Sequence, residues 1–269
     1  MGYRGGGGSG GGGAGAQMNN LVPFTPMVKI LMIINVVVWL VGQMIVEKYF
    51  LPGPYLSEYL SLIPSYVVEK FFIWQFFTYM FLHSSSLFHI LFNMLMLWWL
   101  GGELEQRWGP KFFLSFYLVS GVGAAIIYCI CIFAYAMATG DLAGWLSPVV
   151  GASGAIFGLL VAYGIIFGER VVYFMMVFPM KAKYFVMILG GVEAVNLLTS
   201  GISGSQVANL AHLGGLISGY LFLVLYTKFK QGRWRNQSGG RGGRGLKLVV
   251  NNDPNKDKKD KGDGPRYWN

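Results

Sequence analysis

Charge is scarce in this chain. Asp, Glu, Lys and Arg together make up 12% of its 269 residues, about half the share usual in a soluble domain. What charge there is collects at one end. From Lys228 onward twelve Lys/Arg face four Asp, a net +8, which leaves nine against eight, or +1, for residues 1–227. The overall +9 therefore describes a tail and says little of the body. Cysteine is nearly absent as well: Cys129 and Cys131 stand in the apolar run AIIYCICIFAY. Such a pair fits neither a disulfide framework nor a zinc knuckle, and both read as small apolar residues. No HExxH occurs and no two Asp share the apolar segments, which removes zinc and aspartyl proteolysis within a membrane from consideration. No metal or other cofactor is expected. Residues 1–17 lack the apolar stretch of a signal peptide, and no Ser/Thr follows Met1-Gly2 at the spacing that myristoylation needs.

Apolar residues fill the space that charge leaves, at 54% of the chain. A helix needs roughly 20 of them in a row to cross the hydrocarbon core. Ile30–Val46, Leu87–Leu104, Phe112–Ala136, Val149–Gly168 and Val207–Tyr226 qualify, and the shorter Tyr184–Leu198 is a sixth candidate. Ahead of that sixth run, VVYFMMVFPMKAK carries Pro179, Lys181 and Lys183, so it reads as an interfacial segment and not a seventh span. The expectation is an all-α, polytopic membrane protein with a six-helix bundle over residues 27–228. A flexible Gly-rich leader (1–26) precedes it, and a basic, disordered tail (229–269) follows. The connection between the first two spans is long and aromatic, with Phe71, Phe72, Trp74, Phe76, Phe77 and Tyr79, which suggests amphipathic helices lying in the membrane interface.

Loop charge sets the orientation. Arg107 and Lys111 join spans 2 and 3, Arg170, Lys181 and Lys183 join spans 4 and 5, and the tail is basic; the 3–4 connection and GISGS, between spans 5 and 6, carry no Lys or Arg. By the positive-inside rule both termini are cytoplasmic. Spans 2, 4 and 6 then enter from outside, and each bears polar groups in its opening turns: His89 and Asn93, Ser153, and His212. Polar side chains at membrane depth are costly and mark function. A serine and a histidine at one depth suit a pair in which the imidazole takes the hydroxyl proton. His89 and Asn93, four residues apart on one helix face, could stabilise a developing oxyanion together with a backbone N–H near Ser153. The competing reading makes Ser153, Gly151 and Gly154 small residues for close helix packing, and both hold in part. His83 reads as an interfacial structural residue. Glu193 and Asn196, near the outer end of span 5, read as structural hydrogen-bonding groups or as lining of an entry path. Ser115, Ser120, Gly121 and Gly123 on span 3 read as packing residues.

From Gln75 to Tyr220 the sequence resembles the rhomboid family of intramembrane serine proteases. HILFN is similar to the family's H-x-x-x-N, GASGAIFG to its G-x-S-G nucleophile motif, AHLGGLISG to its A-H-x-x-G, and GGELEQRWG to a signature between spans 2 and 3. The resemblance implies Ser153 as nucleophile and His212 as general base without a third, acidic member. His89, Asn93 and the Ser153 amide become the oxyanion hole. Gly151 belongs to the nucleophile motif. Phe157 packs on the histidine, Gly215 and Gly219 bring span 6 against span 4, and Phe92 lies at a lateral gate between spans 2 and 5. Trp74-Gln75 departs from the family's Trp-Arg, so an arginine-dependent loop network is not implied. The expected partners are single-pass or polytopic membrane protein substrates and the lipid bilayer. No nucleic acid is expected, because the tail holds only one GGRGGRG cluster and juxtamembrane basic residues meet anionic lipid. A non-catalytic scaffold that binds membrane proteins is the alternative function. The absence of a seventh span points to the inner membrane of a prokaryotic cell.

Overall fold

The computed structural model describes residues 23–174, 178–200 and 207–239. The Gly-rich leader up to residue 22, the GISGS connection and residues 240–269 of the basic tail lie outside the described residues. The described residues up to Tyr226 form one compact unit.

The chain is an all-α polytopic bundle. Among the described residues five helices are long and apolar enough to cross a membrane. They are α1 (Pro26–Phe50), α5 (Leu87–Trp108), α6 (Pro110–Thr139), α9 (Ala182–Ser200) and α10 (Val207–Gly239). Three short helices, α2 (Tyr55–Leu60), α3 (Pro64–Glu69) and α4 (Gln75–Thr78), fill the long connection after α1. The expected fourth span is a shorter helix, α8 (Ser153–Ile166), preceded by the single turn α7 (Ala143–Leu146). The run expected from Val149 turns helical only at Ser153, because the chain before it is pinned in extended form. Leu62 and Val149 exchange backbone hydrogen bonds of 3.0 and 2.9 Å, and the Gly151 amide donates to the Tyr79 carbonyl at 3.0 Å.

The segment between α8 and α9, expected at the membrane interface, is an antiparallel hairpin, β1 (Val171–Phe174) with β2 (Phe178–Lys181), registered Val171 to Lys181. Pro179 suits a two-stranded ribbon, where every strand is an edge. Lys181 and Lys183 both reach Glu169, and these contacts, Lys181 first, hold the Glu169 carboxyl down at about 2. Arg170 pairs with Glu103 near the end of α5. The last helix runs past Lys228 to Gly239.

Aromatic rings fill the core around α6 and α8: Phe113, Phe116, Tyr117, Tyr128 and Tyr163 are all fully buried. The outward faces stay apolar. Ile30, Ile33, Val37 and Leu40 on α1 and Met187, Val192 and Val195 on α9 are exposed, as lipid-facing positions should be. The loop signature GGELEQRWG has a structural task at its Glu105. The carboxylate, 2% exposed, accepts the backbone amides of Met27 and Val28 at 2.9 Å each and the Thr25 hydroxyl at 2.5 Å. These are orphan donors at the N-terminus of α1, and an anion there also meets the positive end of the helix dipole. Glu105→Ala leaves two amides unpaired, that of Val28 buried and that of Met27 part-buried, at about 1–3 kcal/mol each. We expect a loss of about 2–5 kcal/mol in reversible unfolding from mild detergent into SDS, and an unchanged midpoint would contradict the cap.

Candidate active site

Two helices bring a hydroxyl and an imidazole together. Ser153 opens α8, and His212 lies in the second turn of α10. The Ser153 Oγ to His212 Nε2 distance is 2.7 Å, a strong O–H···N hydrogen bond. Close backbone approach makes this possible. A Cβ on Gly215 would lie 2.0 Å from the Gly154 carbonyl oxygen, and one on Gly219 would lie 2.7 Å from the Gly158 Cα. The Phe157 ring stacks on His212 with centroids 4.4 Å apart and planes at 10°, which fixes the imidazole plane.

On the other side of His212, the Nδ1 is 3.1 Å from Glu193 Oε1, with the two side chains 18% and 15% exposed. From sequence alone Glu193 reads as a structural or entry-path residue. Its one legible signal was a carboxylate within an apolar span. Asn196, one turn on, faces outward and is exposed.

His89 approaches from α5. The Ser84 backbone amide donates to His89 Nδ1 at 3.2 Å, and the Ser84 hydroxyl is 2.9 Å from the same atom. An amide can only donate, so Nδ1 carries the lone pair and the neutral ring bears its proton on Nε2. That Nε2 faces Gly151: a Cβ there would sit 3.0 Å from it, and Gly151 has φ +129°, which disfavours a side chain on both counts. Asn93 is buried and donates one N–H to the His89 carbonyl at 2.7 Å; its amide keeps a second N–H.

The connection after α1 holds these groups. Gln43, on a π-helical stretch of α1, accepts from the His83 amide and donates to the His83 carbonyl, both at 2.9 Å. Burial, and after it the neighbouring His89 ring, push His83 down to about 4, so it is neutral at neutral pH. His83 itself is buried. Tyr79 is buried and donates its hydroxyl to the Gly121 carbonyl at 2.7 Å. Gln75, where an arginine was absent, is fully buried, accepts the Ile63 amide at 3.0 Å and donates to the Glu58 and Tyr59 carbonyls.

A cavity of about 1490 Å³ opens between α5, α8 and α9, lined by Ser153, His212, His89 and Asn93 and by Phe88, Phe92, Met96, Trp99, Phe157 and Leu189 among others. It reaches Glu103, Arg107 and Arg170, so it follows α5 for about 27 Å from His89 to Arg107. Phe92, 60% exposed, stands on its rim.

Residues 70–229 match the family model for the Rhomboid domain. The chain belongs to the rhomboid family. It is 32% identical over 213 residues to Rhomboid protease GlpG of Yersinia pseudotuberculosis serotype I (strain IP32953), covering 77% of this chain and 63% of the relative. It is also 32% identical to RHOMBOID-like protein 1 of Arabidopsis thaliana, over 66% of this chain and 40% of that protein. The same identity holds to Rhomboid protease AarA of Providencia stuartii, over 57% and 56%. The matches span about half the length of these relatives. Rhomboid membership supports intramembrane protease function at the level of the family and an integral, multi-pass membrane protein. The rhomboid motifs named in the sequence, from His89 through Ser153 to His212, fall within the matched stretch.

The glycine contact gives a direct test. Gly215→Ala places a methyl group against the Gly154 carbonyl, an overpacking that costs about 1–3 kcal/mol. The thermal midpoint in detergent should fall by several degrees, and a midpoint equal to that of the unaltered chain would contradict so close an approach.

Proposed function

We propose that this chain is an intramembrane serine endopeptidase that cleaves transmembrane segments of membrane proteins near the outer membrane face, using Ser153 and His212. The observation that carries this reading is the 2.7 Å contact between the two side chains at the wall of a cavity long enough to take a membrane helix. Polar side chains within membrane helices are costly and mark function.

In this reading a substrate segment enters between α5 and α9, past Phe92, and unwinds beside the start of α8. Ser153 Oγ attacks the scissile carbonyl carbon while His212 Nε2 takes its proton. The new oxyanion meets donors already in place: His89 Nε2–H, the second N–H of Asn93 and the Ser153 amide. That amide is one of the N–H groups left free where a helix begins, and the positive end of α8 favours the negative charge. His212 returns the proton to the leaving amine, the C–N bond breaks, and an acyl-enzyme on Ser153 remains. Water, deprotonated by His212, hydrolyses the ester. Preorganised donors of this kind contribute about 3–4 kcal/mol each when removed singly.

The basic connections after α5 and α8 support cytoplasmic termini, which sets the starts of α5, α8 and α10 toward the outer side, where water has access. The same bias fits the cell inner membrane. Bilayer lipid and membrane protein substrates are the partners of this reading.

Ser153→Ala should reduce cleavage of a co-expressed single-span reporter by at least about 10³-fold while the protein inserts and melts normally. A fluorophosphonate probe should label the unaltered chain and not this variant. Persistent cleavage by Ser153→Ala would reject the serine mechanism, and reporter capture with no cleavage by the unaltered chain would mark a scaffold.

A further inference from the structure

We infer that Glu193 is a third member of this site, a positioning carboxylate that holds His212 in the tautomer the reaction needs and stabilises the imidazolium formed when Ser153 is deprotonated. The inference rests on the serine protease reading above and deepens it.

Three observations converge. Glu193 Oε1 lies 3.1 Å from His212 Nδ1, the nitrogen that Ser153 does not use. The contact is a charge contact off the line of an ideal hydrogen bond, since Nδ1 is buried without a hydrogen-bond partner meeting the angular limits. The second carboxylate oxygen, Oε2, is likewise buried without a hydrogen-bond partner. An ionised group within a membrane span is expensive unless it meets a compensating charge or does work, and the charged partner the structure gives Glu193 is His212. Position in sequence strengthens the case. Glu193 stands on α9 and so reaches His212 from a third helix, opposite the Ser153 contact from α8.

The chemistry follows from the two nitrogens. A neutral imidazole can accept the Ser153 proton only if Nε2 carries the lone pair, and this requires the ring proton on Nδ1. A carboxylate facing Nδ1 favours that tautomer and opposes the flipped one. Once Nε2 is protonated the ring is a cation in an apolar pocket, and Glu193 is the anion beside it. The proton stays on nitrogen throughout, and Glu193 neither gains nor loses one. Among the described residues His89 on α5 lines the same cavity as His212, and an imidazole is neutral or cationic and never an anion. His89 cannot supply the compensating charge. Phe157 fixes the ring plane but does not distinguish its two tautomers, so stacking and carboxylate have separate tasks.

The test compares kcat and KM of the full chain in proteoliposomes on a fluorogenic single-span substrate, with thermal midpoints measured alongside. The set is the unaltered chain, Glu193→Gln, Glu193→Asp, Glu193→Ala and Ser153→Ala. Glu193→Gln keeps the shape and removes the charge. It should lower kcat by on the order of 10²-fold with KM within about twofold and the midpoint retained. Glu193→Asp, shorter but charged, should fall between Gln and the unaltered chain. Unchanged kcat in Glu193→Gln, with Ser153→Ala inactive, would overturn the positioning role and leave the Ser153–His212 reading standing. Equal losses in Gln, Asp and Ala that track a lowered midpoint would make Glu193 a packing residue and overturn it as well. If the unaltered chain shows no Ser153-dependent cleavage, the reading beneath it fails and this inference falls with it.

Discussion

The approach of α8 and α10 is the constraint on which the rest of the site depends. Without side chains at Gly154, Gly158, Gly215 and Gly219 the two backbones come into direct contact, and only then does a short serine side chain reach an imidazole on the neighbouring helix. Hydrophobic burial cannot drive helices together in lipid, because the tails are as apolar as the side chains; close packing and interhelical hydrogen bonds must do it. Here the same contact supplies both. The structure therefore gains cohesion from the groups that are proposed to react, and the polar pair is a part of the bundle and not an addition to it.

Much of this was legible in the sequence, for physical reasons. Long apolar runs with few charges read as membrane helices, so α1, α5, α6 and α9 were foreseeable to within a few residues, and α10 at its start, although it continues to Gly239 where the sequence suggested an end at Tyr226. Ser153, His89, Asn93 and His212 stood out because polar groups are rare in such runs, and the structure brings Ser153, His89 and His212 to the starts of three helices. Phe157 stacks on His212, and Gly215 meets the Gly154 backbone. What escaped the sequence depends on tertiary contact. Nothing in Val149–Gly168 told that helix would begin only at Ser153, since this follows from Leu62 and Tyr79 capturing the preceding strand-like segment. Glu193 was visible as an anomaly, but its partner lies on another helix. The segment after α8 was legible as something other than a span through Pro179 and its lysines, while its strand pairing was not.

The connection between α1 and α5 works as a frame. Its short helices present few charges and many rings: Tyr59, Phe72 and Trp74 cluster with centroids 4.5 to 5.1 Å apart, Phe72 stacked on Trp74 and Tyr59 edge-on to Phe72. Buried Gln75 ties the same region together by backbone contacts. From that frame a relay of hydrogen bonds runs from Gln43 to the His83 backbone and, at the next residue, from Ser84 to His89. The orientation of His89 is thus decided by α1 and the loop as much as by its own helix. A side chain clamped in this way needs little reorganisation when charge develops beside it, which is the condition under which fixed dipoles act most strongly.

The 14-residue length of α8 has a consequence for how the molecule sits in lipid. At about 1.5 Å per residue it measures roughly 21 Å, well short of a hydrocarbon layer of about 30 Å. Gly154, Ala155, Ile156, Leu159, Leu160 and Ala162 along it are buried within the bundle, so most of this short helix meets other helices, with Ile165 exposed near its end. Matching to bilayer thickness falls to the peripheral helices, which can tilt to accommodate a thicker or thinner membrane. The depth of Ser153 is consequently referenced to the protein's own scaffold, and a change of lipid would shift the ring of outer helices around a stationary hydroxyl.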